Sequence, residues 1–161
     1  MRASKEIRRG ADLWHSKRTI GITWITFNTA HRLELTDEQR TLACKIILEG
    51  HGVFYRVIAF VVMKDHVHLL IELNGTSTAS RIVSAIKGRI SKHLAKHDGV
   101  VPPVWQPSWY EMEVLGRTML QQKIGYILKN AHHLLEGQTS NMPYCYVHPP
   151  LASDTKAKSE K

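Results

Sequence analysis

The sequence predicts an α+β domain, in which a central antiparallel sheet and flanking helices form a ferredoxin-like sandwich. Strand-like and helix-like segments follow the order strand, helix, strand, strand, helix, strand, helix, which is typical of this fold. The segment Val53–Met63 is almost entirely apolar, as expected for a central strand that is covered on both faces. Lys64 and Asp65 then make a tight turn into a second strand, which indicates an antiparallel hairpin.

The first strand and the first helix have clear local signals. Residues Thr19–Phe27 are rich in Thr, Ile and Trp, whose branched and aromatic side chains favour a strand. Thr36 is a predicted N-cap, and Gln39 completes a capping box. An apolar stripe follows, and the helix is expected to stop at Gly50 to Gly52. The stripe consists of Leu42, Ala43, Ile46 and Ile47.

The second half of the chain continues the alternation. A second helix is predicted over Ser77–Lys96, where apolar residues recur at four-residue steps. The linker Asp98–Pro103, with Gly and a Pro pair, separates it from a predicted strand at Trp105–Leu115. A third helix is predicted over Arg117–Leu135. The last ten residues, Ala152–Lys161, carry charge without aromatics and are expected to be disordered.

Composition favours a nucleic-acid partner. The length of 161 residues predicts one domain: a basic arm at residues 1–17, the folded domain at 18–137 and a tail at 138–161. Lys and Arg outnumber Asp and Glu by 22 to 14, and the net charge of +8 favours nucleic acid ahead of a membrane surface. Neither a membrane span nor a secretory signal is recognisable. Cys44 and Cys145 do not indicate a disulfide scaffold, so we expect a cytoplasmic protein.

Two histidines begin the second strand of the predicted hairpin. Successive strand side chains point to opposite faces, so His66 and His68 project to the same side, about 7 Å apart. Two imidazoles at that separation can bind one divalent ion and leave coordination positions open for a substrate oxygen. The alternative is a pair of half-exposed strand histidines without a ligand.

The third helix has a polar face beside its apolar one. A tyrosine on this face can be presented to a cleft, and its hydroxyl is a weak nucleophile until something activates it. The alternative is an ordinary surface tyrosine. The polar face consists of Gln122, Tyr126, Asn130 and His133.

Three ordered motifs make the sequence similar to a known family. They are Val61–Ile71, then Val104-Trp105-Gln106-Pro107 with Trp109-Tyr110 after it, then Tyr126-Ile127-x-x-Asn130. In this order and spacing, residues 18–137 resemble the single-tyrosine HUH transposases of small bacterial insertion sequences, especially the REP-associated tyrosine transposases. Two positions depart from the REP-associated pattern. Ala131 stands where that group usually has Pro, and Lys64-Asp65 where it usually has Pro-Asn.

The resemblance implies a metal-dependent DNA transposase. His66 and His68 match the metal-binding histidines, Asn130 a residue that assists metal binding, and Tyr126 the nucleophile. Such an enzyme cleaves and rejoins single-stranded DNA next to hairpins, through a 5′-phosphotyrosine intermediate and a free 3′-hydroxyl. The implied ion is Mg²⁺, with Mn²⁺ as a substitute, although nitrogen ligands by themselves suit Mn²⁺ better.

DNA binding must come from other residues. Single-stranded DNA sites pair a basic groove with aromatic stacking surfaces. A charged helix face can instead be merely solvated, and a tryptophan can instead pack in the core. Family members include dimers with shared active sites, and we expect a monomer here. The candidate DNA contacts are Arg8, Arg9, Arg89, Lys92, Lys96 and Trp109.

Three other functions stay open at this point. The protein could hold hairpin DNA or RNA without cutting it, as a domesticated relative would. It could be a replication initiator or relaxase-type nickase with the same chemistry. It could also be a ferredoxin-like RNA-binding module, although Phe54, Tyr55 and Phe60 lack the Gly-Phe-x-Phe type of signature that such sheets carry.

Overall fold

Five strands and three helices form the part of the chain that the computed structural model describes, residues 16–133 and 144–149. Arg8 and Arg9, and the last ten residues, which were predicted to be disordered, lie outside it. No helix in the described residues is long and apolar enough to cross a membrane. The elements are β1 (Ile20–Asn28), α1 (Asp37–Glu49), β2 (Tyr55–Val62), β3 (His66–Asn74), α2 (Ala79–His97), β4 (Tyr110–Val114), α3 (Gly116–His133) and β5 (Cys145–Val147).

The strands form one antiparallel sheet in the order β4-β1-β3-β2-β5. The first four strands, with α1 and α2 as crossovers, have the ferredoxin-like arrangement, so the predicted fold class is confirmed. β3 is the middle strand and pairs with both β1 and β2. The predicted hairpin is present, since the backbone N–H of Met63 donates to the carbonyl oxygen of His66 at 2.8 Å.

Each face of the sheet has its own core, because alternate strand residues point to opposite sides. The larger core lies under α1 and α2 and includes Ile47, Leu69 and Ile90. The smaller core lies under α3 and includes Leu70 and Ile127. Two layers of helices therefore sandwich the sheet, and within the described residues α3 is the helix that covers the second face.

Two strand predictions needed correction. Val53 and Phe54 lie in a turn with more than half of their surface exposed, so β2 begins only at Tyr55. The predicted strand at Trp105–Leu115 is shorter, because Pro107 has no amide hydrogen to donate to a sheet. Trp105 makes an isolated bridge and packs its ring 5.0 Å from that of Phe27.

The sheet also has a fifth strand that was not predicted. β5 lies in the predicted C-terminal tail, where it pairs with residues 59–61 of β2. Its three residues are too few to show a period, and prolines flank them in the sequence. Part of the tail therefore belongs to the sheet.

The start of α1 is tied to the turn that precedes the histidines. Thr36 accepts a hydrogen bond from the backbone N–H of Gln39 at 3.3 Å, and the Gln39 side chain accepts one from the Thr36 N–H at 3.0 Å, which is the predicted capping box. The neighbouring N–H of Leu35 donates to the carbonyl oxygen of Lys64 at 2.7 Å. The cap therefore holds α1 in place at the histidine end of the sheet.

Removing the cap should cost stability without changing the fold. In Thr36→Ala the N–H of Gln39 loses its acceptor, and we expect the free energy of unfolding to fall by about 1 kcal/mol. Thr36→Ser keeps the hydroxyl and is the matched control, and its free energy of unfolding should change by only about a few tenths of a kcal/mol. Urea denaturation followed by circular dichroism measures both, and equal stability of Thr36→Ala and the wild type would contradict the role of the cap.

Candidate active site

His66 and His68 open β3, and their side chains lie on the α3 side of the sheet. Their ring centroids are 4.7 Å apart. His68 is 7% exposed, whereas His66 lies at the edge and is partly exposed. The strand thus presents one buried and one accessible imidazole to a common space, as the strand alternation predicts.

Each imidazole has an oxygen partner at Nδ1. His68 Nδ1 lies 2.8 Å from the hydroxyl of Thr26, which is its register partner on β1. His66 Nδ1 donates to a carboxylate oxygen of Asp65 at 2.6 Å. These contacts orient both rings, and a ring that carries its proton on Nδ1 keeps a lone pair on Nε2 that can bind an ion. The pair is therefore arranged as two candidate nitrogen ligands.

Burial keeps His68 uncharged. Loss of hydration, with further contributions from His66 and Lys123, lowers the pKa of His68 to about 4. At neutral pH the ring is neutral, which is the form that binds a metal.

The described residues contain no group of three or more His, Cys, Asp and Glu that could hold an ion.

Tyr126 faces the histidines from α3. Its ring centroid is 5.2 Å from that of His68, and 48% of the residue is exposed. Trp24 contacts both of them: its ring stacks on His68 at 5.2 Å and meets the edge of Tyr126 at 5.8 Å. Because Trp24 is itself buried, it fixes the positions of both rings from below. A solvent-reachable hydroxyl and two ligand nitrogens thus border the same space.

Asn130 follows Tyr126 by one helical turn. Its side-chain amide donates to the backbone carbonyl oxygen of Tyr126 at 2.8 Å. This bond uses the amide nitrogen, whereas an ion would take the amide oxygen. The assisting role of Asn130 in metal binding stays a prediction.

The candidate DNA contacts lie elsewhere in the fold. Arg89, Lys92 and Lys96 line a groove between α1 and α2, on the face of the sheet opposite to the histidines. Trp109 is half-buried against the larger core, and Lys87 Nζ lies 5.2 Å from the centre of its ring. Their roles in DNA binding stay predictions.

Three residues of the site were not predicted from the sequence: Trp24, Thr26 and Lys123. Trp24 and Thr26 share a face of β1, and only the pairing of β1 with β3 brings them to His68. Lys123 Nζ lies 4.7 Å from the ring of Trp24, and burial lowers the pKa of Lys123. Its position one turn before Tyr126 is the signal that could have indicated it.

Comparison with known proteins identifies related chains. Residues 19–130 match the model of a family described as IS200-like transposases. A solved REP-associated tyrosine transposase bound to a REP hairpin is 18% identical, with 90% of this chain and 87% of that chain covered and a TM-score of 0.65. A candidate transposase from Deinococcus radiodurans R1 is 21% identical, with 76% of this chain and 97% of that one covered and a TM-score of 0.52. At these identities the two structures show a shared fold. No curated protein matches the chain.

The buried imidazole of His68 should make stability depend on pH. An unfolded histidine has a pKa of about 6.5, whereas the pKa of His68 in the folded protein is lowered to about 4. Between these values the unfolded chain binds a proton that the folded protein does not, so stability is lost as the pH falls through this window. The share due to His68 is on the order of 3 kcal/mol.

Urea denaturation in EDTA at about pH 7.5 and about pH 4.5 measures this loss. His68→Asn is the matched variant, because asparagine is polar but does not titrate. We expect the wild type to lose more stability than His68→Asn between the two pH values. The same loss in both proteins would contradict the burial of a neutral imidazole at this position.

Proposed function

This chain belongs to the family of IS200-like transposases, and from that premise we propose that it cleaves and rejoins single-stranded DNA next to hairpins through a 5′-phosphotyrosine intermediate. The observation that carries the proposal is the convergence of Tyr126 with His66 and His68, whose rings come from two separate elements. A nucleophile beside two metal-ligand nitrogens is what a phosphoryl-transfer site requires.

The two histidines would hold a divalent ion, Mg²⁺ or its substitute Mn²⁺. Their fit to an ion rests on the Nδ1 contacts with Thr26 and Asp65, which leave Nε2 of each ring as the ligand atom. When bound, the ion would supply polarisation of a nonbridging phosphate oxygen and neutralise charge in the transition state. Asn130 and water are available for the remaining positions.

Tyr126 would act as the nucleophile. Its hydroxyl oxygen forms a bond to phosphorus, and the bond from phosphorus to the 3′-oxygen breaks. The proton of the tyrosine hydroxyl passes to solvent, and the 3′-oxygen takes up a proton from solvent. The released strand ends in a 3′-hydroxyl, and attack by a 3′-hydroxyl on the phosphotyrosine rejoins DNA. Packing against Trp24 and His68 restricts the tyrosine ring, which reduces the entropy cost of an in-line attack.

The proposed partner is DNA that carries a hairpin. One structurally similar transposase is bound to a REP hairpin, and the net charge of +8 suits a polyanion. Because Tyr126 and both histidines meet within one chain, a single chain could suffice for the reaction, which supports the expectation of a monomer. Access to chromosomal DNA would place the protein in the cytoplasm.

Tyr126→Phe removes one oxygen and should abolish the chemistry. Cleavage of single-stranded DNA should fall by roughly a thousandfold or more, because water lacks the fixed position of a tethered nucleophile. Hairpin binding and stability should stay near wild type, since the hydroxyl is at a solvent-accessible site. Denaturing electrophoresis of labelled DNA from around the gene measures the covalent protein–DNA product.

The matched control is Tyr146→Phe, on β5, which should cleave like the wild type. A protease-sensitive adduct formed by Tyr126→Phe would show that the nucleophile is another residue. Binding without any adduct from the wild type would favour the non-cleaving hairpin-binding function.

His66→Ala should separate chemistry from binding. Loss of one ligand nitrogen should bring cleavage to background, while most of the hairpin affinity remains, because phosphate contacts from Lys and Arg dominate it. His132→Ala, an exposed histidine on α3, is the control. EDTA should reproduce the loss in the wild type, and added Mg²⁺ or Mn²⁺ should restore cleavage. Equal cleavage in EDTA and in Mg²⁺ would count against a metal.

A further inference from the structure

A basic groove of about 490 Å³ runs between α1 and α2, and we call it the α1–α2 groove. Lys45 of α1 and Arg89, Lys92 and Lys96 of α2 line it. Among the described residues that line the groove, Glu49 is the one acid, and it is paired with Arg89. The three lysines therefore leave the groove strongly positive.

The groove begins at the histidine end of the sheet but lies on the opposite face. The final residues of α2 reach that end, where Asp98 accepts a hydrogen bond from the Gln39 side chain at 3.0 Å. The start of α1 is in turn bonded to Lys64, two residues before His66. Lys96 thus lies at the end of the molecule where the active site opens, and the groove follows α2 from Lys96 back to Arg89, a distance of about 10 Å.

An apolar cavity of about 250 Å³ adjoins the other end of the α1–α2 groove. The groove and the cavity share Ile46 and Arg89. Phe54 lies at the cavity with 57% of its surface exposed, and the exposed Arg81 lines the cavity as well. An exposed aromatic ring beside a cation suits a flat, unpaired base whose phosphate lies nearby.

We propose that the α1–α2 groove is a second binding surface for single-stranded DNA, which holds the strand that flanks the cleavage site. The inference rests on the proposed function for the identity of the strand. Phosphates lie along Lys96, Lys92 and Lys45, and an unpaired base occupies the cavity at Phe54. Single-stranded DNA fits better than duplex, because a duplex keeps its bases stacked inside and has none to place against an exposed ring.

The test compares two triple variants of the groove lysines, one that removes the three charges and one that keeps them. Lys45, Lys92 and Lys96 are all exposed, so the triple change to Gln should leave the fold intact, and the triple change to Arg keeps the charge. Fluorescence anisotropy with a labelled mixed-sequence single strand gives the affinity over a range of salt concentrations. For the Gln triple variant we expect a loss of roughly tenfold to hundredfold at about 0.1 M salt, and a salt slope that is shallower by about 2. The Arg triple variant should bind like the wild type.

Phe54→Ala tests the cavity, with Phe54→Trp as the control that keeps a ring. Phe54→Ala should weaken binding of the single strand by roughly fivefold or more, from the loss of one stacked base, and should not change binding of a blunt duplex. An unchanged affinity and salt slope in the Gln triple variant would overturn the proposal. The proposal would also be overturned if the Gln triple variant lost as much affinity for the duplex as for the single strand. Lysine-dependent binding of RNA of the same sequence that is tighter than binding of the DNA would overturn it as well.

Cleavage distinguishes this proposal from the proposed function. The Gln triple variant should need more DNA than the wild type to reach half of its maximal single-turnover cleavage rate, in proportion to its loss of affinity. A wild type that binds with the expected salt slope but never cleaves would refute the transposase chemistry and leave the groove supported. A Gln triple variant that binds like the wild type would refute the groove alone.

Discussion

The pairing of β1 with β3 is the constraint on which the site depends. It sets Thr26 opposite His68 and Trp24 opposite Leu70, so that hydroxyl, indole and imidazole share one face. A slip of the register by one residue would turn every side chain of a strand to the other face. The buried Phe27 and Leu69 oppose such a slip, because it would carry them out of the larger core. The hydrophobic pattern that builds the fold therefore also aligns the polar groups of the site.

Burial of His68 shows how the surroundings keep an imidazole uncharged. A charged imidazole would lose its hydration under Trp24 and Tyr126 and would lie near Lys123, so the neutral ring is favoured. The contact of the Thr26 hydroxyl with Nδ1 then fixes the orientation of the ring. His66 is partly exposed and takes its orientation from the carboxylate of Asp65 instead. The two imidazoles are thus oriented by different groups, one by a hydroxyl and the other by a carboxylate.

Local patterns in the sequence predicted those features that depend on neighbouring residues. The shared face of His66 and His68 follows from strand geometry alone, and the cap at Thr36 follows from residues three apart. Trp24 and Thr26 could not be assigned to the site, because both lie more than 40 positions before His68 in the sequence. Trp24 also contacts Tyr126, which lies on α3. Lys45 joins the basic stripe of α2 only through the packing of α1 on α2. β5 has three residues, too few for any periodic signal.

The short strand β5 has a consequence for solubility. β2 is almost wholly apolar, and an uncovered strand of that kind offers its free N–H and C=O groups to any other chain. β5 occupies this edge at residues 59–61, and the carbonyl oxygen of Tyr144 accepts a hydrogen bond from the N–H of Val62 at 2.8 Å. A segment that follows α3 in the chain thereby shields the apolar edge of β2, and a protein shortened to end at α3 would leave that strand open to self-association.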